Sequence, residues 1–64
     1  MRKDVQEFLR KKIILNLRLC DDAQITLFGK AYGPVMDIPA NKLEAALDLC
    51  ERTNKKRGRR IEDI

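Results

Sequence analysis

Leu43, Ala46, Leu47 and Cys50 repeat at i, i+3, i+4 and i+7, and this stripe constrains the fold more than any other feature of the chain. Such spacing puts the four side chains on one face of an α-helix. Leu49 and Ala45 lie beside the stripe, while Asp48 and Glu51 fall on other faces. Asn41-Lys42-Leu43-Glu44 resembles a capping box, which places the helix start at Asn41. Glu51 stands four residues before Lys55, a favourable helical pair. Arg52, Lys55, Lys56 and Arg57 complement the negative end of the helix dipole, and Gly58 is a natural stop. Residues 59–64 show no periodicity. The chain therefore divides into one domain over 1–57 and a frayed tail over 58–64.

Upstream, Val5, Phe8 and Leu9 share a face at helical spacing, and Glu7 precedes Lys11 by one turn. These residues predict a short amphipathic helix over 3–12. Ile13, Leu15, Leu17 and Leu19 then alternate with Ile14, Asn16, Arg18 and Cys20, the period of a half-buried strand. A helix running on through 4–20 would instead align Leu9, Ile13 and Asn16 on one stripe. Asp21-Asp22-Ala23-Gln24 reads as a turn, and Gln24–Phe28 as the returning strand. Gly29-Lys30 fits a two-residue hairpin loop. Val35–Ile38, between Pro34 and Pro39, reads as a short edge strand. The expected fold class is α+β: a short N-terminal helix, a two- or three-stranded antiparallel sheet and a C-terminal amphipathic helix with a basic tail. The alternative is mostly α, with one long helix over 4–20.

A chain of 64 residues hides only about 60 % of its unfolded surface, so self-association as a homodimer is an open route to further burial. No stretch resembles a signal peptide or a membrane span. The longest apolar run, Ile13-Ile14-Leu15, falls far short of the roughly 20 residues a bilayer requires. A cytoplasmic protein is expected. Cys20 and Cys50 suit that compartment as reduced thiols, and their spacing leaves open whether they pair.

The chain contains no Ser and no His, so neither a Ser-His nor a Cys-His nucleophile can be built. Two Cys without His make a zinc site unexpected. Gly29, Gly33 and Gly58 are isolated and match no phosphate-binding loop. Asp21 and Asp22 are adjacent in a turn, where a solvated role is the ordinary one. The chain is expected to be non-enzymatic, with no cofactor and no metal.

Charge carries the functional signal. Residues 1–12 have a net charge of +3, residues 13–51 of −3 and residues 52–64 of +4. Basic ends around an acidic middle point to a polyanion. Arg52, Lys55, Lys56, Arg57, Arg59 and Arg60 form the densest run, with Arg10, Lys11 and Lys12 as a second cluster. Clustered positive charge is what a nucleic-acid backbone requires. Tyr32 is a candidate for base stacking. The expected function is contact with nucleic-acid phosphates through the C-terminal run. The alternative is a protein-binding inhibitor or adaptor that engages a larger partner by edge-strand addition.

Overall fold

Leu, Arg, Lys, Gln and Glu, all good helix formers, dominate the first 19 residues, and they continue as one helix. The computed structural model describes residues 2–58. It contains α1 (Lys3–Leu19), α2 (Asp22–Tyr32), a single 3₁₀ turn (Val35–Asp37) and α3 (Ala40–Lys56). Among the described residues there is no strand. The α+β expectation is therefore overturned, and the mostly α alternative, with one long first helix, describes the chain.

Three local readings change with it. The alternation over residues 13–20 is part of α1, where Ile13 and Asn16 are buried and Ile14 is 37 % exposed. Asn16, which a strand would have turned to solvent, points inward because another helix supplies its partner. The stretch Gln24–Phe28 is the middle of α2, and Gly29-Lys30 is helical, not a hairpin. Asp21 is the reason: its carboxylate accepts from the Gln24 N–H at 3.1 Å and caps a helix where a turn was expected. Val35–Asp37 is a 3₁₀ turn closed by the Asp37 N–H on the Pro34 carbonyl (3.0 Å), so no edge strand exists there.

Gly33 ends α2 at φ +75° and donates its N–H to the Gly29 carbonyl at 2.8 Å. That left-handed conformation is the one glycine adopts without penalty. Pro39 occupies the cap position of α3, one residue before Ala40, and no side chain caps the helix. The capping box read at Asn41 is thus not formed, and Asn41 lies in the first turn. A proline with φ near −60° is already set for helix entry. The stop at Gly58 is present, with φ +71° and its N–H on the Lys55 carbonyl.

The main packing is α1 against α3. Arg10 reaches the Ile38 carbonyl near the start of α3, and Asn16 meets Asn54 near its end. The two helices therefore run in the same direction, with α2 returning between their ends. Ile13, Phe28, Ile38, Leu43, Ala46 and Cys50 form the buried core, flanked by Leu9, Leu17, Tyr32, Val35 and Leu47. The stripe read from the sequence supplies Leu43, Ala46 and Cys50 to that core, and Leu47 to its margin. The molecule measures 31 × 25 × 14 Å.

One polar cluster is sealed between α1 and α3. The Asn54 side-chain amide donates to the Asn16 carbonyl (2.8 Å) and to Asn16 Oδ1 (3.2 Å). Asn16 in turn donates to the Lys12 carbonyl at 2.9 Å. The Cys20 thiol donates to Asn54 Oδ1 at 3.3 Å. Buried polar groups that satisfy one another in this way hold α1 and α3 in a single register.

Candidate nucleic-acid interface

The basic residues singled out by sequence divide into free and engaged sets. Lys55 and Lys56 occupy the last turn of α3, and both are exposed. Arg52 is exposed one turn earlier and pairs with Asp48 at 3.0 Å. By helical periodicity these three residues lie opposite the buried stripe of α3. The Arg52–Asp48 pair is open to water, and pairs of this kind are worth about 0–1 kcal/mol. It therefore yields readily to a phosphate. The C-terminal end of the α3 dipole adds partial negative charge there, which the lysines offset.

Arg57 is different. Its guanidinium meets the Asp21 carboxylate, whose other oxygen caps α2. The same aspartate thus starts α2 and tethers the end of α3. Arg10 also plays a structural part. Its Nη2 donates to the Ile38 carbonyl at 2.9 Å and its Nη1 to Gln6 Oε1 at 3.5 Å, while its Nε is buried without a partner. Sequence spacing carries no sign of either role, because the partners lie 36 and 28 positions away. Lys12 is half-buried, with Nζ 5.2 Å from the centroid of the Phe8 ring. Lys11 is exposed. Cys20 contacts Asn54, which fixes the level of the α3 terminus, and Lys12 stands eight residues below Cys20, about 12 Å along the axis. Arg59 and Arg60, with all but Gly58 of the tail read over 58–64, lie outside the described residues.

Tyr32 is half-buried and packs on Phe28, the ring centroids 5.3 Å apart and the planes tilted by 40°. Its ring belongs to the edge of the core, away from the Arg52–Lys56 surface.

Both cysteines are thiols, not joined in a disulfide. Burial, with Cys20 nearby as a smaller cause, pushes the Cys50 thiol up to about 12. A thiol so rarely ionised is a poor nucleophile. The shift also has a consequence for stability. Above pH 9.0, the ordinary value, the unfolded chain loses this proton first, so stability falls as pH rises from about 9 to about 12. By pH 10 the loss is expected to be on the order of 1 kcal/mol. Urea titrations at pH 8 and pH 10 check this, with Cys50→Ala as the reference that lacks this fall.

Among the described residues no group of three or more His, Cys, Asp or Glu side chains could hold a metal ion. No helix among them is long and apolar enough to cross a membrane. Comparison with protein-family models, curated proteins and solved structures finds no match to this chain.

Proposed function

We propose that this protein is a non-enzymatic binder of nucleic-acid phosphates, which it meets with the outer face of the C-terminal half of α3. The observation that supports this reading is the joint exposure of Arg52, Lys55 and Lys56 on one side of a rigid helix. A row of cations at helical spacing follows a phosphate backbone, and release of condensed counterions drives the association. Arg52 adds a planar fork that grips two phosphate oxygens. No residue is assigned to base reading, so binding is expected to be indifferent to sequence. Arg10 and Arg57 are left out of the interface, since both guanidinium groups hold the fold together.

The test is the triple variant Arg52→Ala/Lys55→Ala/Lys56→Ala, titrated against labelled single- and double-stranded DNA and RNA at low salt. Loss of these contacts is expected to weaken binding by about 10- to 100-fold with the helical circular dichroism spectrum unchanged. Unchanged affinity would remove this surface from consideration.

A protein partner is the second reading, and one observation favours it. Leu27 and Leu49 are 59 % and 42 % exposed on neighbouring helices. The route by strand addition is closed, because Val35–Asp37 is a 3₁₀ turn. A partner would have to dock on helices.

A further inference from the structure

α2 is held to α3 more sparingly than α1 is, and the two helices leave a cleft between them. The cleft encloses about 120 Å³. Leu27, Phe28 and Gln24 of α2 form one wall, Leu49, Cys50 and Thr53 of α3 the other, and Leu17 and Cys20 of α1 the floor. The lining is chiefly apolar. Leu27 and Leu49, the two residues at the mouth, stay largely in water. Isolated exposed leucines are ordinary on protein surfaces. Two of them across an apolar groove form a ready seat for one side chain of a helix.

The rim says what kind of helix fits. On α3, Lys42 and Lys56 stand seven residues before and seven after Leu49, which puts all three on one stripe. On α2, Lys30 stands one turn from Leu27 on the same side. All three lysines are exposed. Lys42 and Lys56 are separated by 14 residues, about 21 Å along the axis, or about four turns of a docked helix. The nearest acidic residue toward that side of α3, Asp48, already pairs with Arg52. The mouth is therefore apolar at its centre and positive at both ends.

We infer that the α2–α3 cleft is a docking site for an acidic amphipathic helix of a partner protein, with large apolar residues at i, i+3 and i+4 seated between Leu27 and Leu49 and carboxylates facing Lys30, Lys42 and Lys56. A second copy of this chain fits poorly, because pairing two such clefts sets lysine against lysine. This surface shares Lys56 with the phosphate-binding face proposed above, but its apolar seat and the other two lysines do not depend on that reading.

The probe is a synthetic helix of roughly fourteen residues, long enough to span Lys42 to Lys56. It carries Leu at i, i+3 and i+4 and Glu at both ends. A control peptide has every Glu replaced by Lys. Fluorescence anisotropy with the full chain is expected to show binding of the Glu peptide, weakened by salt, and at least about tenfold weaker binding of the Lys peptide. Leu27→Ser, at an exposed position where the fold is not at risk, is expected to weaken the Glu peptide by about tenfold or more. It should leave labelled DNA unaffected. Equal affinity for the two peptides would overturn the proposal, as would absence of binding or indifference to Leu27→Ser. Two further outcomes also count against it. One is Leu27→Ser weakening DNA as much as peptide, which would make the cleft part of the phosphate surface. The other is a dimer in sedimentation equilibrium that Leu27→Ser dissolves, which would assign the cleft to self-association.

Discussion

Replacing Leu43 with alanine is expected to cost the chain a large share of its folding stability. Leu43 is fully buried and belongs to a core that comprises six buried apolar residues among those described. Truncating such a side chain removes its transfer free energy and leaves a cavity, at a cost of about 2–5 kcal/mol. A chain of this length has a total stability of only about 3–10 kcal/mol. The small core sharpens the effect, since few other buried side chains are present to move into the gap. Urea denaturation followed by circular dichroism should show the loss as a lowered midpoint or an absent folded baseline. Leu49→Ala, at a residue 42 % exposed on the same helix, should cost well under about 1 kcal/mol. Equal losses in the two variants would mean that α3 does not pack through the Leu43 face.

The Asn16–Asn54 contact should give the second large effect, with an informative reversal. Asn54→Ala removes the amide that serves the Asn16 carbonyl and Oδ1, and takes away one of the acceptors of the Cys20 thiol. Asn16 and Asn54 are 3 % and 1 % exposed, so water does not replace the lost bonds without rearrangement. A buried acceptor left without its donor costs about 1–3 kcal/mol, and the deleted side chain adds a void. A total of about 2–4 kcal/mol is expected from urea midpoints. Asn16→Leu/Asn54→Leu should cost less than Asn54→Ala, because no side-chain amide is stranded and the Asn16 carbonyl keeps the Cys20 thiol at 3.4 Å. If the double variant were the less stable of the two, the cluster would be contributing net stability beyond mutual satisfaction.

These residues also mark how far the sequence could be read. The α3 stripe was plain because Leu43, Ala46, Leu47 and Cys50 all obey one local period. The stop at Gly58 was plain because glycine has few rivals in a left-handed cap. Residues 13–20 misled because two periods coexist there. The large side chains at 13, 15, 17 and 19 mimic a strand, while Leu9, Ile13 and Asn16 form the helical stripe that in fact turns inward. Asn16 decided the matter, since a polar residue reads as an outward position until its partner 38 residues away is known. Helix α2 was missed for a related reason: Asp21 in an isolated sequence serves equally well as a turn residue and as a cap. The exposed positions of Arg52, Lys55 and Lys56 followed from the period of α3. The engagement of Arg10 and Arg57 by partners on other elements did not follow, because each depends on a contact between elements distant in the chain. The α2–α3 cleft was illegible for the same reason. Leu27 was assigned to a strand, and no local pattern places it beside Leu49.

The most direct test of the phosphate-binding account is the salt dependence of nucleic-acid affinity for the unaltered chain. Labelled duplex DNA titrated across a series of salt concentrations gives the slope of log K against log salt, and each phosphate neutralised contributes about −0.9. Contacts from Arg52, Lys55 and Lys56 predict a slope of about −2.7 or steeper. A slope near zero, or no binding even at the lowest salt, would contradict the account and leave the basic face of α3 as a solvated helix end.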